Sequence, residues 1–321
     1  MEKRTFQYPQ WLFLLILMGS LFLINISLGS VSIPPGEIVQ ALIGLPLENV
    51  IWQDIIIDFR FTKALTCILA GSGPDILGLS SGASLLVSLV FMAGISSFSL
   101  LSESWSLALA ACTGSSLMLL LVLAIAGKVK DNTSLLIVGL MIGAGTASFV
   151  SVLQFMSRAE DQQYYLIWTF GSLGGLNWTE IGILTLALLV GSVLLIVNVK
   201  SLNAWLLGDN YSQSLGMNLK RSRLLMILST SILTGAVTAF CGPIAFVGLA
   251  VPHLVRLLFK TSDHRLLLPA VAMGGASLLL FCDCLAQVPG STYVLPINAV
   301  TALIGAPLVV WIILKGKKIY A

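Results

Sequence analysis

Asp283 is the one carboxylate that lies plainly inside an apolar run, "ASLLLFCDCLAQ" at 276–287. An ionisable group in hydrocarbon is costly, so such a residue pairs with a cation or a helix end, or passes protons. A relay needs a chain of acids and none is visible, so a structural carboxylate satisfied by Ser, Thr or backbone groups of neighbouring helices is the weightier reading. Its neighbours Cys282 and Cys284 sit two apart and project about 200° from one another on a helix, which argues against a shared metal. Cys67, Cys112 and Cys241 also lie in apolar segments, where cysteine acts as a small buried hydrophobe and no disulfide framework is expected. The two histidines, His253 and His264, form no H-E-x-x-H or Cys/His cluster, so neither a zinc enzyme nor a two-histidine haem site has support. "GKVKDNT" at 127–133 lacks the preceding glycine of a phosphate loop, so any ATP hydrolysis must come from a partner. A membrane enzyme would also need an adjacent nucleophile and base, which the chain does not offer.

The elements that carry these residues are set by composition. Of 321 residues 57% are hydrophobic and 10% charged, and the mean hydropathy is +0.98, which marks an integral membrane protein. Apolar runs near 11–29, 76–96, 104–127, 133–156, 180–199, 223–240, 244–258, 266–287 and 296–314 are mostly long enough to cross about 30 Å of hydrocarbon, and 60–72 is a shorter fragment. They are continuous Leu, Ile, Val, Ala and Gly runs without strand alternation, which predicts helices and not a barrel. The first run lacks a signal-peptide cleavage site and reads as a span.

Basic residues orient the spans. If 60–72 counts as a crossing, fourteen of the seventeen Lys and Arg fall inside, leaving Arg60, Lys63 and Arg158 outside. That favours about ten helices with both termini cytoplasmic. Thirteen residues reach only about 20 Å, so a tract of about twenty residues is expected to be absent between Ser72 and Gly73. Two outer loops, 30–58 and 157–178, carry interfacial aromatics, and the one sizeable inner loop, 199–222, is patterned for short helices. Small residues cluster in "GLSSGAS" (78–84), "GLMIGAGTAS" (139–148), "GGAS" (274–277) and "TALIGAP" (301–307), suited to close packing or to a weakly interacting passage. "GPDILGL" (73–79) echoes "GPIAFVGL" (242–249) on spans of opposite direction, the sign of an inverted repeat.

The tract 241–287, with its G-P-I-x-F-V-G-L-x-V-P-H core and D-H-R-x-L-L-P, closely resembles the FecCD family of ABC-importer permeases for ferric siderophores, haem and vitamin B12. "LLGDNYSQSLGMNL" (206–219), "GPDILGLSSGASL" (73–85), "WTFGSLGGLNW" (168–178) and "LPINAVTALIGAPLVVWIILK" (295–315) extend the likeness over nearly the whole chain. In such permeases helix two continues through a small-residue segment and an "R-N-P-L-A"-like turn, which is what the chain lacks after Ser72.

The resemblance implies a single all-α, polytopic permease domain over 1–321, a homodimer with a passage on its two-fold axis, in the bacterial inner membrane. It implies two ATP-binding-cassette ATPases that bind ATP and magnesium, a periplasmic or lipid-anchored substrate-binding protein, and no cofactor in this chain and no nucleic acid. Leu207, Gly208, Asp209, Ser214, Leu215 and Gly216 would meet the ATPase. Arg60 and Lys63 would dock the binding protein, with Lys in place of a second Arg and so without a bidentate contact. Ser80, Ser81, Gly82, Met141, Gly145, Ser148, Pro252 and Thr301 would line the passage. The expected function is import of a bulky metal chelate by alternating access, and the rival is a carrier driven by an ion gradient, which needs more intramembrane carboxylates than Asp283.

Overall fold

The computed structural model describes residues 8–45, 47, 49–73, 79–92, 103–126, 132–287 and 293–316. Within them the chain is helical, with an isolated bridge between Gln287 and Val294 as the one strand-like pairing. The helices are α1 (Tyr8–Ser27), α2 (Pro35–Ile43), α3 (Val50–Asp54), a π-helical turn (Ile55–Phe61), α4 (Thr62–Ser72), α5 (Leu79–Met92), α6 (Glu103–Ala126) and α7 (Asn132–Met156). They continue with α8 (Ala159–Phe170), α9 (Trp178–Val197), α10 (Val199–Trp205), α11 (Asp209–Ser214), α12 (Leu219–Cys241), α13 (Val247–Phe259), α14 (His264–Ala286) and α15 (Ile297–Gly316). Among the described residues five stretches are long and apolar enough to cross a membrane: Tyr8–Ser27, Ile137–Met156, Trp178–Val197, Leu219–Cys241 and His264–Ala286. The apolar parts of α5, α6, α13 and α15 are shorter.

Local chemistry sets the helix starts. Asn177 and Glu180 cap α9 reciprocally, Glu180 N–H donating to Asn177 Oδ1 at 2.9 Å and Asn177 N–H to Glu180 Oε2 at 3.0 Å. Asn218 accepts from Arg221 N–H at 3.0 Å to open α12, and Asp263 accepts from Arg265 N–H at 2.9 Å to open α14. Phe246 opens α13 at φ +66, a left-handed conformation that an L side chain rarely adopts.

The fragment 60–72 is longer than the sequence pattern suggests. Asp54, Ile55, Phe61 and Thr62 all hold right-handed helical angles, so α3, the π-helical turn and α4 run unbroken from Val50 to Ser72, about 35 Å. The added length lies on the N-terminal side, beyond Arg60; with Lys63 paired to Asp283 and Gly71 facing Gly275, α4 still ends beside the middle of α14, so the shortfall behind the expected missing tract is not made up there. Residues 74–78, where such a tract would join and where most of the GPDILGL echo lies, are outside the described residues.

Two compact units make up the chain. The first, 1–73, 173–181 and 245–321, is organised around α14, which packs on α1, α4, α13 and α15. Gly71 of α4 and Gly275 of α14 face each other so closely that a methyl group on either would overlap the other's backbone. The second, 74–172 and 182–244, centres on α6 between α5 and α12. There Gly82 meets Gly114, Gly235 meets the backbone of Cys112, and Ala83, Val87, Ala111 and Ala239 form a buried core beside Trp168. In hydrocarbon, where no solvent effect drives helices together, such close backbone approach supplies the packing energy.

Gly275→Leu is expected to overpack the α4–α14 contact by about 1–3 kcal/mol or more, lowering the Tm of the detergent-solubilised protein by several degrees. Gly145→Leu, on α7 with nothing within 4 Å of its would-be Cβ, should leave the Tm unchanged in the same assay.

Candidate functional site

The first unit gathers its polar side chains where α1 ends, α4 begins and α14 ends. Asp283 is 4% exposed. Its Oδ2 accepts from Asn25 Nδ2 at 2.7 Å and from Gln287 Nε2 at 2.7 Å, and pairs with Lys63 Nζ at 3.1 Å. The intramembrane carboxylate thus has a cation, a partner the sequence reading allowed, together with two amides in place of the Ser, Thr or backbone groups it favoured. Asn25 is fully buried, and its Oδ1 has no hydrogen-bond partner.

Arg60 is 5% exposed. Its Nη1 donates to Ile26 O at 3.0 Å and Ser27 O at 3.1 Å, and its Nη2 donates to Val31 O. Ile26 and Ser27 are the last residues of α1, whose carbonyls have no intrahelical donor and carry the negative end of the helix dipole. The guanidinium therefore caps α1, and Gly29 leaves it room, since a Cβ there would lie 2.7 Å from Nη2. Both residues expected to dock a partner are engaged within the unit, Arg60 through its whole fork and Lys63 through Asp283. Beside them Trp178 Nε1 donates to Asp58 Oδ1 at 2.8 Å, which ties the start of α9 to the π-helical turn.

The second unit carries the loop 199–222. Its two ends are clasped: Asn198 Nδ2 donates to Ser222 O at 3.0 Å and Ser222 Oγ to Asn198 Oδ1 at 2.7 Å, with both residues buried. Between them Ser212 is fully buried, and its Oγ lies 2.8 Å from both Ala204 O and Gly208 O, joining α11 to α10. Gly208 (φ +93) and Gly216 (φ +81) bracket α11 in left-handed turns that favour glycine. Leu206, Leu207, Tyr211 and Leu215 are each more than half exposed, so a braced, polar-backed element presents an apolar face. Of the expected coupling residues, Ser214 is exposed and bonds Asn210 O at 3.1 Å, and Asp209 is the first residue of α11.

The expected passage residues divide by burial. Met141, Gly145 and Ser148 follow one another along one open face of α7, Met141 being 71% exposed and Ser148 bonding only its own helix at Ala144 O. Gly82 is spent on the contact with Gly114, and Thr301 is 2% exposed and donates to Asn298 O at 3.1 Å. Ser81 and Pro252 are half-buried, and the side chain of Ser80 is outside the described residues. Among the described residues no group of His, Cys, Asp and Glu could hold a metal ion.

The model of the FecCD transport family matches residues 72–315. The chain belongs to the FecCD transport family. It is 32% identical over 325 residues to the hemin transport system permease protein HmuU of Yersinia pestis, covering 95% of both chains. It is 31% identical over 329 residues to the vitamin B12 import system permease protein BtuC of Klebsiella pneumoniae subsp. pneumoniae, covering 96% of this chain and 94% of that one. A solved structure described as an inward-facing conformation of a metal-chelate type ABC transporter superposes with TM-score 0.74 at 26% identity, covering 96% of this chain and all of that one. The family match takes in the loop 199–222 and the passage residues, whereas Arg60 and Lys63 lie before it.

Sequence reasoning missed Asn25, Gln287 and the Asn198–Ser222 clasp. Each had a signal: a lone Asn in the first apolar span, a Gln four residues beyond Asp283 on the same helix face, and polar residues at both borders of the loop.

Arg60→Lys places a point charge where a fork reaches three carbonyls. It should cost about 2 kcal/mol, read as a lower Tm in detergent, and Arg60→Met should cost more.

Proposed function

We propose that this chain is the transmembrane subunit of an ATP-driven importer that carries a bulky metal chelate, a ferric siderophore, haem or a corrinoid, across the bacterial inner membrane. The observation that carries the reading is the loop 199–222: clasped at its base, pinned internally by Ser212, and apolar on its open face. A rigid element with exposed Leu207 and Leu215 is what a cytoplasmic ATPase would need to grip in order to move helices. The names of the relatives and the description of the solved neighbour support the same class.

The mechanism is alternating access in a homodimer with both termini cytoplasmic. Two ATPase subunits bind ATP and magnesium, draw together, and pull on 206–219 through Leu207, Gly208, Asp209, Ser214, Leu215 and Gly216. α9 and α12, which flank the loop, carry the displacement into the membrane, and the lipid-embedded subunits open to one side or the other about their dyad. The passage, with Met141, Gly145 and Ser148 among its walls, offers a thioether, backbone and a hydroxyl, groups that let a large apolar-edged chelate slide. A substrate-binding protein delivers the chelate from outside, with Lys63 the more available of the two docking cations. A carrier driven by an ion gradient is less favoured, because Asp283 already has Lys63, Asn25 and Gln287 as partners.

Uptake driven by ATP in proteoliposomes containing the permease, its ATPase and its binding protein tests the lever. Replacing Gly208 and Gly216 together by Val is expected to cut uptake by about tenfold or more, through strain at positive φ, while the permease still folds. Undiminished uptake by the double variant would overturn the coupling role, and uphill accumulation by the permease alone from a proton or sodium gradient would overturn the whole reading.

A further inference from the structure

The two cations at the outer end of the first unit are held in very different ways. Arg60 is buried, its fork divided among three main-chain carbonyls, two of them at the end of α1 and the third at Val31 in the loop that follows. Lys63 is held by one contact, the pair with Asp283 Oδ2, and its side chain is the more exposed of the two partners, 16% against 6%. Its Cδ lies over Gly174, where there is no side chain to wall in the stem.

Asp283 is arranged to survive losing the lysine. Removing one partner of a buried pair ordinarily strands the other charge. Here Asn25 Nδ2 and Gln287 Nε2 still donate to the same carboxylate oxygen, each at 2.7 Å, so the anion keeps two hydrogen bonds when the ammonium leaves. Hydrogen bonds to an ionised acceptor are the strong kind. Gln287 lies one turn beyond Asp283 and is positioned by the helix itself, while Asn25 comes from α1, an independent element fully buried at this point.

We infer that Lys63 is a two-partner residue: Asp283 holds its ammonium in the resting subunit and yields it to a carboxylate of the arriving substrate-binding protein. The inference rests on the docking reading above and adds that docking is an exchange, in which Asp283 competes with the incoming acid and thereby sets the affinity. Arg60 has no part in the exchange and serves as the fixed cap of α1. Because both ion pairs involve the same ammonium, the competition is between two carboxylates for one cation, and its strength depends on what else supports Asp283. Weakening the hold of Asp283 on Lys63 strengthens docking. Weakening the amide support of Asp283 makes the anion cling to Lys63 and weakens docking.

The test measures the Kd between the full permease in nanodiscs and the substrate-binding protein encoded with it, at low and high salt. Asp283→Asn, which keeps the shape and the acceptor oxygen, is expected to tighten binding by about tenfold at low salt, an effect that shrinks as ions screen the contact. Asn25→Ala should act in the opposite direction and weaken binding several-fold. Lys63→Met, which keeps the stem, should weaken binding and abolish the response to both other changes. A merely structural cluster would give the same sign for Asp283→Asn and Asn25→Ala and would not need Lys63 for either. If the wild-type permease binds but the two changes shift Kd alike, or persist with Lys63→Met in place, the exchange is overturned while docking stands. If the wild-type permease does not bind the protein at all, both fall. Tm measurements on each variant separate loss of binding from loss of fold.

Discussion

A carboxylate inside a membrane protein has no water to turn to, so its partners must be built into the chain, and Asp283 dictates what three helices bring to one place. α14 supplies the anion and its own Gln287, α4 supplies Lys63, and α1 supplies Asn25. The same demand explains Arg60. The end of α1 leaves carbonyls that water would satisfy in a soluble protein, and a buried guanidinium satisfies them here. Positive charge is spent at this end of the first unit on one acid and one helix terminus, and the geometry of α1, α4 and α14 follows from it.

Where polar groups fix direction, small residues fix distance. Gly71 against Gly275 in the first unit, and Gly82 against Gly114 in the second, bring backbones into contact that any side chain would separate. Within each unit this makes a stiff body, because closely apposed helices have no side-chain layer to shear through. If the loop 199–222 is the lever proposed above, a force applied at Leu207 or Leu215 would pass through the Ser212 bonds into α10 and through the Asn198–Ser222 clasp into the ends of α9 and α12.

Much of this was legible in the sequence for a physical reason: in a bilayer, hydropathy and length nearly dictate the helices. The apolar runs at 11–29, 133–156, 180–199, 223–240 and 266–287 all became long helices, and the loop 199–222 formed the short helices its pattern suggested. The segment before Thr62 was not legible, because Asp54, Asp58 and Arg60 break the hydropathy signal although the backbone stays helical through a π-helical turn. Hydropathy reports where lipid can be, and a helical stretch with exposed Asp54 and Asp58 and a buried Arg60 escapes it. The roles of single glycines were equally hidden. Gly82, expected on the passage, packs closely against Gly114, whereas Gly145, in a similar small-residue run, stands open. The sequence shows smallness, and only the neighbours decide what it is for.

The exposed face of α7 extends that point to function. Met141, Gly145 and Ser148 present polarizable sulfur, bare backbone and a hydroxyl already bonded to its own helix. None offers a charge, and a free hydrogen-bonding group is scarce. Were this face the wall of the proposed passage, it would hold cargo weakly, an advantage for a transporter, since a site that holds its cargo firmly must be supplied with the same free energy again to release it. Selection among chelates would then have to be made where charge and hydrogen bonding are available, on a separate receptor, and the membrane subunit would contribute passage and timing. On that proposed division of labour, the few charges gathered around Asp283 and Arg60 would serve partner contacts and not the choice of cargo.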